Sequence, residues 1–273
     1  MKKLVTVQDI SCIGKCSCTA ALPIISSYGI ETLLLPTALL SSHTDGFGEN
    51  TFLDLTDEMK KIISHWRTLN LSLDGIYTGY LGSMEQLSIV LDFVYEFKRS
   101  DTLVLIDPVM GDGGRYYKYF SDAYLADMKR LCSCADIITP NLTEACLLAD
   151  EEYSLEYSDE KIHNLIERLH ALGTKNVVIT GVHFGGDEIG YACSDGIEMR
   201  VIREKLHKNV RFAGTGDVFA SSLAGCATCG MSFFDSVTSA AAFAEKCIDA
   251  TDDGERDFYY GISFEKCLGR IDK

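Results

Sequence analysis

The sequence predicts an α/β protein, with three α/β/α layers around a mostly parallel central sheet, built as a single domain over residues 1–273. Three observations carry that expectation. Short aliphatic and β-branched runs alternate with helix-length segments along most of the chain. The first 37 residues read strand, loop, helix, strand, a βαβ unit that favours parallel pairing with a right-handed crossover. Toward the other end, Gly214-Thr215-Gly216-Asp217 leads into an apolar, small-residue run of helical character.

The elements follow in order. Leu4-Val5-Thr6-Val7 has the composition of a buried strand, and 9–14 reads as a polar loop. A helix is expected over 17–28, stopped by Gly29, and then a strand at 32–37. The stretch 41–49 is rich in Ser, Thr, Asp and Gly, a loop ahead of a helix at 57–69. A strand at 74–78, a loop at 79–82 and an amphipathic helix at 83–99 come next, and strand 102–106 runs into Asp107-Pro108. Helix 123–131, strand 136–139, helices 142–149 and 159–172 and strand 176–180 continue the alternation. Short strands at 189–193 and 199–202, joined by Ser194-Asp195-Gly196, read as an antiparallel pair. Helix 234–250 is the clearest C-terminal element, and acidic 150–158 is a loop. No repeat, low-complexity tract or linker interrupts the pattern.

Composition narrows the function. Apolar residues at 47% and charged residues at 24% support a sizeable core and argue against disorder. A net charge of −15 argues against nucleic-acid or acidic-membrane partners, which need a basic surface. The apolar start is broken by Gln8 and Asp9, too short for a signal segment or a membrane span. The eleven cysteines are odd in number and irregular in spacing. Cys226 and Cys229 form a CxxC inside an apolar helix without a second pair, which reads as core packing rather than zinc or redox chemistry. Reduced thiols and a cytoplasmic location are the expectation.

Chemistry is concentrated in a few stretches. Glycines at 214 and 216 allow close backbone approach, and a helix starting there aims free N–H groups at an anion. Asp217 then stands beside an anion hole, placed to take a proton from an attacking hydroxyl, although an Asp there can also serve only as a helix cap. A Walker-type GxxxxGK[ST] is absent, so a phosphate cradle has to come from this loop, with the Thr215 hydroxyl and Gly216 N–H as donors. Asn141 and Glu144 have the spacing of a helix N-cap and capping box. Asp9 follows the first expected strand, His43 and Thr44 the second, and Tyr80 the third. Asp107, Asn141, Thr180 and the segment before Gly214 follow later ones. This is the strand end where open parallel sheets bind ligands.

Five stretches together, Thr37–Thr44, Gly79–Ser83, Asp107–Asp112, Thr139–Glu144 and Gly214–Asp217, resemble the ribokinase-like kinases, and most closely their pyridoxal kinase branch. The resemblance runs over about residues 3–250. It implies an ATP-dependent kinase acting on the 5′-hydroxymethyl group of pyridoxal, pyridoxine or pyridoxamine. It implies magnesium as cofactor, a monovalent cation such as K+, and a homodimer. Asp217 is then the catalytic base, with Gly214 and Gly216 shaping the anion hole. Asp107, Asn141, Thr180, Thr215 and Gly216 bind nucleotide; Glu144 and Asp107 hold the metal, Glu144 through water. Asp9, His43, Thr44, Tyr80 and Asp217 line the acceptor pocket. Pyridoxal kinases usually carry a serine at the position of Asp9, while hydroxymethylpyrimidine kinases often carry an acid. A hydroxymethylpyrimidine or hydroxymethylpyrimidine-phosphate kinase is therefore the alternative, although Ser41-Ser42-His43-Thr44 differs from the Gln-Asn-Thr usual there. A vitamer-binding protein without activity is a third reading, opposed by the intact Gly-Thr-Gly-Asp. Asp112–Tyr117 resembles a mobile flap whose glycines suit a closing lid.

Overall fold

In the computed structural model the described residues are 1–117, 120–186, 188–205, 212–251 and 258–269; Arg211, at the head of the Gly-rich stretch, lies outside them. Along the chain the elements are β1 (Lys3–Ser11), α1 (Ser17–Ser27), β2 (Glu31–Leu40), β3 (Phe52–Asp54), α2 (Thr56–Thr68), β4 (Gly75–Thr78), α3 (Met84–Phe97) and β5 (Leu103–Ile106). They continue as β6 (Gly111–Asp112), β7 (Arg115–Tyr116), α4 (Asp122–Ser133), β8 (Ile137–Ile138), α5 (Leu142–Ala149), α6 (Asp159–His170) and β9 (Asn176–Gly185). The last are β10 (Glu188–Ser194), β11 (Met199–Lys205), α7 (Thr215–Thr228) and α8 (Phe233–Asp249). The α/β class with mostly parallel pairing is the one the sequence predicts. The chain groups into two compact units, Met1–Gly82 with Phe97–Thr102 and Val210–Lys273, and Ser83–Glu96 with Leu103–Asn209.

In the first unit β1 pairs in parallel with both β2 and β4, and β3 joins β2 antiparallel. The expected loop at 9–14 is shorter than the sequence suggests, because β1 runs on through Ser11. Asp9 therefore sits within the strand, where the register against β2 shifts between Gln8 and Ile10. Such an irregularity breaks strict alternation and re-aims a side chain. Strand β3 was not expected: its three residues are all exposed, so no hydrophobic alternation marks it. Helices α1, α7 and α8 and the C-terminal segment close a core of Ala20, Ile24, Phe212, Val218, Cys247, Ile262 and Phe264. The small residues of α7 have a packing reason. A Cβ on Gly225 would overlap the Tyr28 ring, and the Tyr28 hydroxyl lies 2.7 Å from Ser222 Oγ.

In the second unit β5, β8 and β9 are parallel, and β9, β10 and β11 form an antiparallel meander, as expected for the last pair. Helix α6 starts at a Ser158 cap and buries Ile162, Leu165, Ile166 and Leu169. The flap stretch is a hairpin, β6 with β7, turned by Gly113 (φ 58°) and Gly114 (φ 77°). Two successive positive φ values are what a type I′ turn requires, hence glycine at both.

Candidate functional site

In the first unit, α7 begins as the Gly-rich stretch suggests. Gly214 is its N-cap, with φ 74° and ψ 3°, and the first N–H bonded within the helix is that of Val218, to Gly214 O at 3.0 Å. The N–H groups of Thr215 and Gly216 thus have no partner in their own helix, while that of Asp217 lies on its own carboxylate, and the positive end of the helix dipole adds to them. One expectation changes. Thr215 Oγ1 donates its proton to Phe212 O at 2.9 Å, so its hydroxyl serves the turn while its N–H stays outward. Asp217 is not the cap; it stands in the first turn, partly buried.

The carboxyl of Asp217 is pushed up to about 7, first by desolvation and then by the negative charge of Asp9, against a hydrogen bond from the Ser17 N–H. Asp9 is itself buried and raised by desolvation, against hydrogen bonds from the Ser17 and Ser11 hydroxyls and the nearby His43. Ser11 Oγ donates to Asp9 Oδ2 at 2.7 Å. The fold therefore brings Asp9 and Asp217 into one electrostatic group with Ser17 between them. Ser17 escaped the sequence reading because a serine ahead of an apolar helix looks like an ordinary cap. Its φ of 50°, which marks it out, leaves no trace in composition.

His43 and Thr44 lie in the loop after β2, with Thr44 exposed. Both ring nitrogens of His43 are engaged: Nδ1 accepts from Asp45 N–H at 3.1 Å, so Nε2 carries the proton and donates to Tyr259 O at 2.6 Å. The ring stands edge-on to Phe47, which in turn contacts Tyr259 and Tyr260. His43 thus fastens its loop to the C-terminal segment. Tyr80 is half-buried near the start of the loop following β4, and its carbonyl accepts from the Thr37 hydroxyl at 3.1 Å.

In the second unit Asn141 and Glu144 form the capping box of α5. Asn141 Oδ1 accepts from Glu144 N–H at 3.0 Å and Glu144 Oε2 accepts from Asn141 N–H at 2.9 Å. Glu144 Oε1 accepts from Met110 N–H at 3.0 Å, and Asn141 Nδ2 donates to Gly111 O at 2.9 Å. The pair therefore ties the start of α5 to the base of the β6–β7 hairpin, while Thr143 Oγ1 holds Gly114 N–H at the turn. Burial drives Glu144 up to about 8, against these N–H bonds and with the charge of Asp112 adding to the rise. Asp107 follows β5; burial raises the Cys132 thiol, and the charges of Glu144 and then Asp107 add to the rise. Thr180 lies within β9 rather than after it, bridged in parallel to Asn141, with its N–H on Pro140 O at 3.0 Å.

A mostly parallel α/β fold with a glycine-capped, aspartate-bearing helix start defines a ribokinase-like protein. The chain belongs to the phosphomethylpyrimidine kinase family, whose model matches residues 19–258. It is similar to a candidate phosphomethylpyrimidine kinase from Bacteroides thetaiotaomicron, at 39% identity and a TM-score of 0.94, over 98% of this chain and 92% of that one. A second crystal form of that protein was solved with pyridoxal. The pyridoxal kinase of Lactobacillus plantarum is 28% identical, with a TM-score of 0.90 over 98% of this chain and 95% of that one. Human pyridoxal kinase is 31% identical over 186 residues, 62% of this chain; the match spans 59% of the human protein's length. These likenesses bear out the resemblance and the fold read from the motifs. Among the described residues no helix is long and apolar enough to cross a membrane.

Proposed function

We propose that the protein is a kinase that transfers the γ-phosphoryl group of ATP to the hydroxymethyl group of a vitamin B6 vitamer. One observation carries this reading: a carboxyl raised to about 7 stands in the first turn of a helix whose first N–H groups point outward. An alcohol must lose its proton as it attacks, and a base whose pKa lies near the working pH is suited to accept it. Asp217 takes that proton, while the N–H groups of Thr215 and Gly216 hold charge on the transferring phosphoryl. Support comes from the 39%-identical structure that holds pyridoxal. Asp9, His43, Thr44 and Tyr80 are assigned to the acceptor, with His43 acting by holding its loop since both ring nitrogens are bonded.

Asp107, Asn141, Glu144 and Thr180 are assigned to nucleotide and metal. Hard carboxylate oxygens suit magnesium, and the Glu144 carboxyl, raised further by Asp112, has an excess of negative surroundings that a dication relieves. No cluster of three or more His, Cys, Asp or Glu able to hold a metal occurs among the described residues. The protein would therefore supply Asp107 directly and Glu144 through water, the remaining ligands being phosphate and water. When bound, magnesium neutralises phosphate charge during transfer. Asn141 acts through the capping box that orients Glu144. The eleven free thiols support a reducing, cytoplasmic setting, and a homodimer, testable by sedimentation, is the assembly the resemblance implies.

The second reading, a hydroxymethylpyrimidine or hydroxymethylpyrimidine-phosphate kinase, is favoured by the acid at Asp9 and by membership of the phosphomethylpyrimidine kinase family. An ADP-release assay over pyridoxal, pyridoxine, pyridoxamine and both pyrimidines tests the two. Turnover of vitamers is expected, turnover of pyrimidines alone selects the second reading, and turnover of none overturns both.

A further inference from the structure

Four glycines of the first unit mark places where segments far apart in sequence meet. The His43 ring lies against Gly14, and the His43 N–H donates to Ile13 O at 3.2 Å. The Tyr259 ring lies against Gly46, and the Tyr259 carbonyl accepts from His43 Nε2 at 2.6 Å. Gly214 lies against the Lys15 carbonyl. Gly261, buried and with φ 83°, lies against the carbonyls of both Gly14 and Ala213. At each of the four a Cβ would overlap a neighbouring atom. The segment carrying Tyr259 and Gly261 is itself held. Ile262 and Phe264 share a core with Phe212 and Val218, on either side of the Gly-rich turn, and with Ala20 and Ile24 of α1. Ser263 N–H donates to Thr251 Oγ1 at 2.8 Å, and Lys15 Nζ is tied to Glu265 Oε2 at 2.8 Å. Burial of two large apolar side chains beside Gly261 makes the segment a fixed support.

We propose that Gly261 is a positioning residue: through its contacts with the Gly14 and Ala213 carbonyls, the segment 259–262 sets the separation between the loop of His43 and the turn that begins α7 at Gly214. The consequence rests on the kinase reading, which makes the first the acceptor loop and the second the phosphoryl cradle. An attacking oxygen and its target react when held about 3–3.5 Å apart, and a misplacement of about 1 Å costs about 10²-fold in rate. A bare Cα at 261 leaves both carbonyls where they are. A methyl there pushes Gly14, and with it the His43 ring, away from Ala213 and Gly214. Tyr259 bears on the same loop a second time, at Gly46. One short segment thus supports both partners of the transfer without touching either reacting atom.

The test compares Gly261→Ala with Gly29→Ala in the full chain. Gly29 follows α1, exposed and at φ 75°, with nothing within 4 Å of an added Cβ. Alanine there carries the same kind of backbone strain without the overlap. Both are measured at a temperature where circular dichroism shows them folded. On pyridoxal, Gly261→Ala should lower kcat by about tenfold or more with the KM for ATP little changed, and Gly29→Ala should keep the wild-type kcat. The second readout needs no turnover. The His43 Nε2 proton, assigned by its loss in His43→Ala, should shift in the NMR spectrum of Gly261→Ala and stay in place in Gly29→Ala. A kcat loss matched by Gly29→Ala, or an unmoved His43 proton, overturns the proposal. Should Gly261→Ala not fold, Gly46→Ala replaces it, since it presses on the same segment through the Tyr259 ring, and the same two readouts decide. If the wild type phosphorylates no vitamer, the kinase reading fails, and the His43 proton alone decides whether the segment holds that loop. If vitamers turn over and Gly261→Ala behaves as Gly29→Ala, the kinase reading stands and the positioning falls.

Discussion

Gly214 caps α7 directly against Lys15: a Cβ on Gly214 would overlap the Lys15 carbonyl oxygen, and its φ of 74° is itself a glycine conformation. The turn before α1 and the start of α7 are thereby locked together, which is how Asp9 and Asp217 come to share an environment. Gly214→Ala is therefore expected to cost about 1–2 kcal/mol from the backbone alone, and more from the overlap. Calorimetry should show a melting point lowered by several degrees, with vitamer turnover lost more steeply than stability.

Asp217→Asn separates a base from a structural acid. Asn keeps the shape and one acceptor oxygen, so kcat should fall by about 10²-fold or more while the fold survives. In the wild type kcat should rise with pH through about 7, since the base works when deprotonated. Stability runs the other way. A folded value of about 7 lies above the ordinary 3.8, so the contribution of Asp217 is full below about 3.8. It is lost as pH rises through about 7. Above pH 7 the Asn variant should gain in melting point relative to wild type, which thermal scans from pH 5 to 9 will read.

Glu144→Gln should not be a silent change. Both carboxylate oxygens accept backbone N–H groups, from Met110 and Asn141, and an amide turns one acceptor into a donor facing an N–H. A cost of about 1–3 kcal/mol is expected for the unsatisfied group, visible in denaturant midpoints. Any loss of magnesium-dependent turnover has to be measured beyond that, at a temperature where the variant is fully folded.

His43→Ala removes the bond to Tyr259 and the edge contact with Phe47. The apparent KM for a vitamer should rise several-fold with little change in that for ATP. Limited proteolysis should cut faster within 41–51. An effect on the ATP side alone would take His43 out of the acceptor assignment.

The parts of this protein that depend on local chemistry were legible in its sequence. Gly214-Thr215-Gly216-Asp217 announced a helix start with outward N–H groups, and Asn141 with Glu144 announced a capping box; both form from residues a few positions apart. The Asp112-Gly113-Gly114-Arg115 turn also carried a hairpin signal, since paired glycines favour the type I′ turn, although flanking strands of two residues left no periodicity to see. Strand β3, exposed throughout, left none either.

What only the tertiary structure decided are relations between distant segments. That β1 carries Asp9 inside the strand depends on its pairing with β2, because a register shift is a property of two strands. That His43 is tethered depends on Tyr259, far along the chain. Ser17 reads as any helix-capping serine until α7 packs against the turn before it and holds its backbone left-handed. The physical reason is the same in each case. Residue type and short-range spacing select caps, turns and strands, whereas burial and the sum of neighbouring charges exist only once separate elements have packed.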